Sequence, residues 1–192
     1  MAAGESRRMG YPKPLLEIDG ETFVARLVRL MLPVVARLTV VVGAHADRVR
    51  PAIPRDDRIS IVENPDWPRG QLSSIKAGLR ALPSDASAAM VHLADHPRVK
   101  ASTFDAVAEA YRASGKPIAI PRNNGHRGHP VIFGRTVFAE LLEAPEDQGA
   151  RVVVNADPSR IVYIDLDDAG ILLDLDTPEE LSRAGLRLPA DR

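Results

Sequence analysis

LTVVVG, residues 38–43, sets five consecutive apolar or β-branched residues against a closing glycine. A run this short, without polar alternation, fits a strand covered on both faces, as in the parallel sheets of α/β proteins. Upstream, Phe23, Leu27, Leu30, Met31 and Val34 recur at helical spacing with Arg26 and Arg29 opposite. That predicts an amphipathic helix over 22–36, despite Pro33, after a turn at Asp19-Gly20. Downstream come a short helix over about 47–53, a strand at Ile59–Val62 and a loop from Asn64 to Gly70. Leu72, Ile75, Leu79 and Leu82 mark the face of the next helix, and Ala88–Leu93 reads as a third strand ending in Ala94-Asp95-His96-Pro97. The rest predicts a helix at 102–114, a strand at 117–121, a loop at 122–129 and a strand-to-helix passage from Val131 to Leu142. A helix near 149–155, a strand at 160–165, a hairpin turn at Asp167–Gly170, a strand at 171–175 and a helix from Pro178 complete it. Such alternation implies right-handed βαβ units, hence a three-layer α/β/α sandwich around a Rossmann-like, mostly parallel sheet. Ligands of such sheets bind at the carboxyl ends of the strands.

With 192 residues, 45% of them hydrophobic, the chain fits one domain over 1–192. A formal charge of −1 supplies no basic field, so neither nucleic acid nor a membrane surface is an expected partner. The absence of cysteine excludes disulfides and thiolate metal sites and agrees with a reducing compartment. No apolar run reaches the roughly 18 residues of a membrane span, and no signal-peptide core is seen; a cytoplasmic protein is expected.

The richest chemistry lies in MAAGESRRMGYPK, residues 1–13. Small residues Ala2, Ala3 and Gly4 let backbone N–H groups approach an anion, and Arg7, Arg8 and Lys13 follow. The spacing of Gly4 and Gly10 matches neither a Walker A loop nor the dinucleotide fingerprint. On residue types alone, a phosphate grip and a solvated basic tail fit equally well.

Four further segments bear on a site. AMVHLADHPRV delivers Asp95 to a strand end, where an acid either caps the next turn or holds a divalent cation; Mg²⁺ takes one or two carboxylates plus substrate phosphates. LLDLDTPEEL spaces Asp174 and Asp176 two apart, so that on an extended strand both face one way. Its Thr177-Pro178-Glu179-Glu180 is also a capping box that needs no ligand. NPDWPRGQLSSIKAGL puts Gly70, Ser73 and Ser74 at a helix start, suited to polar ligand edges or to plain capping, with Trp67 beside the ligand or in the core. NNGHRGHPVIF places Arg127 and His129 in a basic, glycine-bearing loop that reads as a substrate lip. The histidines at 92, 96, 126 and 129 lack a recognised zinc spacing.

AAGESRRMGYPKPLL closely resembles the signature of the MobA/MocA-like nucleotidyltransferases: Leu-Ala-Ala-Gly, a spacer, Arg-Met-Gly, then Lys, with Met1 here in place of the Leu. LADHP is similar to the family's Leu-Ala-Asp-Gln-Pro, with His96 for Gln; RGHPV and DLDTPEE resemble its later motifs. The resemblance runs over residues 1–180. It implies that Ala2, Ala3 and Gly4 hold the nucleotide through their backbone, Arg8 and Lys13 neutralise phosphates, and Asp95 binds Mg²⁺, with Asp174 and Asp176 as further metal or substrate contacts. Gly70 and Ser74 would touch base and ribose, and Arg127 and His129 the acceptor. The Ala-Ala-Gly form resembles the cytidylyl branch, which implies CTP, molybdopterin cofactor as the phosphorylated acceptor, pyrophosphate release and a molybdoenzyme as a further partner. A sugar or polyol phosphate transferase, a molybdenum cofactor-binding chaperone and an inactive truncated homologue are the alternatives. In the family this signature leaves the end of a first β-strand; no residue precedes Met1 in the sequence, so a sheet lacking that strand, with two unpaired edges and low stability, is expected.

Overall fold

A computed structural model describes residues 1–189. A hairpin of β1 (Glu17–Ile18) and β2 (Glu21–Thr22) turns at Asp19-Gly20 and leads into α1 (Phe23–Met31). Thr22 caps this helix by accepting from the Ala25 N–H at 3.3 Å. The helix stops short of the expected residue 36, because Pro33 has no N–H to continue it and Leu32 and Val34 close the last turn onto Val28 and Met31. The opening run is β3 (Leu38–Val42), followed by α2 (Ala46–Val49), β4 (Ile59–Glu63), α3 (Gln71–Arg80), β5 (Ala88–Val91) and α4 (Ala101–Ser114). The second half runs β6 (Ile118–Asn123), β7 (His126–Arg127), β8 (Val131–Gly134), α5 (Phe138–Glu143), α6 (Arg151–Ala156), β9 (Ile161–Asp165) and α7 (Pro178–Arg183).

β5 ends at Val91, two residues before the expected Leu93, and two further stretches differ from the sequence reading. The 122–129 loop is in part a tight hairpin: β6 runs to Asn123, and Asn124-Gly125, both at positive φ, turn it into β7. Residues 171–175 are not a strand. Ala169–Ile171 is a 3₁₀ turn, and Asp168, buried, accepts from Lys100 N–H (2.9 Å), Thr103 Oγ1 (2.6 Å) and Gly170 N–H (2.9 Å). One carboxylate thus caps both α4 and the turn, which pins residues 168–175 beside the sheet in an irregular path.

The sheet is parallel-rich and mixed. β3 pairs with β4 and β6 with β9 in parallel, while β8 lies antiparallel between β5 and β6. Alternation along the strands feeds two helical layers. Ile118 and Ile120 of β6 and Val131 and Phe133 of β8 pack with α3, α5 and α6. Ala119 and Ile132 face Val107 and Ala108 of α4, and Leu38, Val40 and Val42 of β3 join Val24, Leu27 and Val28 of α1.

Between β3 and β5 the sheet is bridged only at one end. Ala2 pairs with Val42 in a parallel bridge, its N–H donating to Val41 at 2.8 Å; Met1 donates to His92 O at 2.6 Å and accepts from Ala94 N–H at 3.0 Å. Toward the amino ends of the two strands the space opens into a cavity of about 480 Å³ lined by Val24, Leu27, Val40, Met90, Val91 and other apolar groups. The terminal amine of Met1 is buried there, which lowers its pKa to about 6 against the opposing charge of Asp95.

Candidate active site

A second cavity, about 450 Å³, opens on the other side of residues 1–3, at the carboxyl ends of the strands. The turn that forms its floor is held by short contacts. Ala44 donates to Ala3 O, and a Cβ at Gly43 would lie 2.6 Å from that same oxygen and 2.9 Å from Trp67 Cβ, so only glycine lets these segments meet. His45 Nε2 contacts Glu5 O at 2.9 Å. Met9, fully buried, anchors the far end of the loop on Leu16, Phe23, Leu175 and Leu181. That apolar cluster ties the basic loop to the segment carrying the C-terminal aspartates. Between these anchors the N–H groups of residues 4–8 have no hydrogen-bond partner among the described residues, and Gly4, Glu5, Ser6, Arg7 and Arg8 all line the cavity.

Opposite the loop, three carboxylates converge on one cation. Lys13 Nζ lies 2.6 Å from Asp95 Oδ2, pairs closely with Asp176 and comes within 3.9 Å of Asp174. Arg8 bonds the second oxygen of Asp176 while keeping most of its guanidinium in solvent. Burial opposes the Lys13 charge, but Asp95 and Asp176 outweigh it and raise its pKa. Burial likewise opposes the charge on Asp176, and Lys13 and Arg8 more than offset it, lowering its pKa. Asp174 has no such close partner: burial, then the neighbouring Asp95, push its carboxyl up to about 7.

The pair is brought together by loop geometry rather than by the expected strand. Leu175, fully buried, donates to Asp95 O at 3.1 Å, and the reciprocal Thr177–Glu180 capping box starts α7 directly after Asp176. Glu180 also accepts from the Asp176 N–H at 2.8 Å.

The third wall is the start of α3. Gly70, at φ 106°, makes the turn into the helix, a conformation strained for any side chain. Neither serine caps it: the Ser73 hydroxyl has Asp66 O and Gly70 O as alternative acceptors, and Asn64, buried, donates to both Ser73 Oγ (2.9 Å) and Ser74 Oγ (3.0 Å). Gly70, Gln71, Ser74 and Trp67 line the cavity. Asn64 and Ser6, whose Oγ accepts from Lys13 N–H at 3.1 Å, were not foreseen from the sequence. The clue for Asn64 was an amide directly after a strand and before a proline.

Of the residues singled out in the sequence, Ala2, Ala3, Gly4, Arg8, Lys13, Gly70, Ser74, Asp95 and Asp176 line this one cavity, and Asp174 stands at its edge beside Lys13. Arg127 and His129 do not line it. Arg127 stacks over Tyr163, 5.2 Å from the ring centre, and bonds Asn155. His129 is largely buried behind His96, with ring centres 5.3 Å apart, and burial lowers its pKa to about 4. The segment therefore reaches the site through its histidine's packing, not as an open lip.

Comparison with known proteins identifies the family. Residues 1–161 match the family described as the MobA-like NTP transferase domain. The molybdenum cofactor cytidylyltransferase of Escherichia coli (strain K12) is 25% identical over 183 residues, covering 95% of this chain and 92% of that protein. The molybdenum cofactor guanylyltransferase of Pseudomonas fluorescens (strain Pf0-1) is 29% identical over 192 residues, covering 95% and 90%. Among solved structures, Rv0371c from Mycobacterium tuberculosis H37Rv superposes with a TM-score of 0.81 at 26% identity, covering 95% of this chain and 94% of that one. Its complex with manganese superposes at 0.70 with 25% identity, covering 94% and 92%. No helix among the described residues is long and apolar enough to cross a membrane.

Proposed function

Because the chain belongs to the MobA-like NTP transferase domain family and is thereby a nucleotidyltransferase, we propose that it moves CMP from CTP to the phosphate of molybdopterin cofactor. An acceptor phosphate oxygen bonds to the α-phosphorus as the bond to the β-phosphate oxygen breaks, and pyrophosphate leaves. The observation that carries this reading is the loop over residues 4–8, whose N–H groups have no hydrogen-bond partner among the described residues and which lines one cavity with Lys13 and Asp95. Backbone donors fixed in a turn bind phosphate oxygens without reorganising. Lys13 and Arg8 neutralise charge on the leaving pyrophosphate, and Ala2, Ala3 and Gly4 let the nucleotide approach the backbone. Gly70 and Ser74 contact base and ribose. The alanines of the loop and the E. coli cytidylyltransferase favour CTP.

The residues also fit a divalent cation. Asp95 Oδ1 is buried without a partner, and a carboxylate oxygen of Asp174 lies within 4.8 Å of one of Asp95. Asp95 and Asp174 would hold Mg²⁺, with Asp176 adjoining; bound, the ion supplies charge neutralisation for phosphate oxygens. A mycobacterial relative has been solved in complex with manganese, which supports divalent-cation binding by this chain.

Pyrophosphate release from each NTP, paired with molybdopterin cofactor, a sugar phosphate and a polyol phosphate, tests the reading. Release with CTP and molybdopterin cofactor is expected. Release with a different pair replaces the substrates, and CTP binding without release with any acceptor points to a carrier rather than a transferase.

A further inference from the structure

Asp95 is followed directly by an imidazole, and the pair changes what the metal site can hold. One oxygen of Asp95, one of Asp174 and one ring nitrogen of His96 all lie within 4.8 Å of one another. Lys13 engages only Oδ2 of Asp95; Oδ1 is buried, has no hydrogen-bond partner and stands 3.9 Å from His96 Nε2. Two donors on opposite sides of an ion with bonds of about 2.1 Å are about 4.2 Å apart, so this spacing falls within the span of one ion. His96 is not a surface side chain drawn in by chance. Only 8% of it is exposed, its Nδ1 also lacks a partner, and its ring is held by His129 at 5.3 Å and His92 at 6.3 Å. Asp174, by contrast, is 46% exposed and reaches the same point from the cavity mouth.

Resting on the transferase reading above, we propose that His96 is a nitrogen ligand of the metal site, making it a mixed carboxylate–imidazole centre that selects first-row transition cations over Mg²⁺. Mg²⁺ favours oxygen donors and gives up water reluctantly, whereas imidazole strengthens binding of Mn²⁺ through Zn²⁺. The site then discriminates by donor chemistry within a fold whose phosphate grip is indifferent to the ion.

Pulsed electron paramagnetic resonance of the full chain loaded with Mn²⁺ alone tests this without any variant, because a directly bound ¹⁴N couples to the ion. Coupling is expected in the wild type and in His129→Gln, and is lost in His96→Gln. Competition of Mg²⁺ against bound Mn²⁺ should show the Mn²⁺ preference falling about tenfold or more in His96→Gln. Absence of nitrogen coupling in the wild type overturns the assignment, as does an unchanged Mn²⁺ to Mg²⁺ ratio in a folded His96→Gln. Pyrophosphate release separates the two claims: release without nitrogen coupling removes His96 and leaves the transferase, whereas coupling without release with any NTP keeps the metal centre and removes the transferase reading.

Discussion

Two cavities of similar size share a wall, built from Met1 and Ala2 together with Ser74 and Ala94. On one side, about 450 Å³ is lined by backbone donors, Lys13, Asp95 and Asp176, all fixed by buried anchors; on the other, about 480 Å³ between β3 and β5 is lined mainly by valine, leucine, alanine and methionine. The polar side is already paired: each carboxylate close to Lys13 has a cation to meet, and the free groups are those a phosphate would take. The apolar side is a gap between two strand edges into which the Met1 amine is pressed. Met1 and Ala2 thus border both the polar cavity and the apolar gap between β3 and β5. Chemistry at the strand ends is set by loops and caps, while stability depends on what lies along the strands.

The largest effect should come from the polar side. Replacing Lys13 by Met leaves Asp95 and Asp176 facing each other and the phosphates without their closest cation, so pyrophosphate release should fall about 10²–10³-fold. A fall under about threefold in a folded variant would mean that the charged cavity is not where phosphate charge is met.

The apolar side predicts a change in stability instead. Five apolar β-branched residues fused ahead of Met1 would run parallel to β3 and β5 in the register that the Ala2–Val42 bridge sets. Burying about four such side chains contributes roughly 6–12 kcal/mol, and ordering them costs about 1–2 kcal/mol per residue. A net gain of a few kcal/mol corresponds to a Tm higher by about 5–15 °C. A fusion of five serines and glycines serves as the control; equal melting of both would show that the gap accepts no strand.

Much of this was legible in sequence where one residue pattern had one physical outcome. LTVVV could only bury both faces, and the strand-end position of Asp95 followed from the apolar run before it. The path of 171–175 was not legible. LLDLD alternates like a strand, but Asp168 ties the turn to the start of α4 and Leu175 sinks to 0% exposure, contacts decided by partners far along the chain. His129 misled for the opposite reason. A histidine among glycines reads as part of a substrate lip, yet its ring lies largely buried against His96.

That burial gives an acid sensitivity. The folded pKa of His129 is about 4, against an ordinary value of 6.5, so between these values the unfolded chain binds a proton that the native state refuses. Stability is full above about pH 6.5 and is lost as pH falls toward 4, by at most about 3 kcal/mol from this residue; buried His92 acts in the same direction. Urea unfolding at pH 7 and pH 4.5 should show the loss, and His129→Gln should shrink it. The smallest effect belongs to Arg127, which lies outside both cavities: Arg127→Ala should change pyrophosphate release less than about threefold, within about 0.7 kcal/mol. A large loss would return that arginine to the acceptor side.

Amide chemical shifts of the ¹⁵N-labelled chain on adding CTP with a divalent cation compare the two cavities in one experiment. The N–H resonances of Gly4 to Arg8 and of Gly70 should move while those of Val40 and Met90 stay in place; shifts confined to the β3–β5 gap, or none at millimolar CTP, would contradict the assignment of the polar cavity as the nucleotide site.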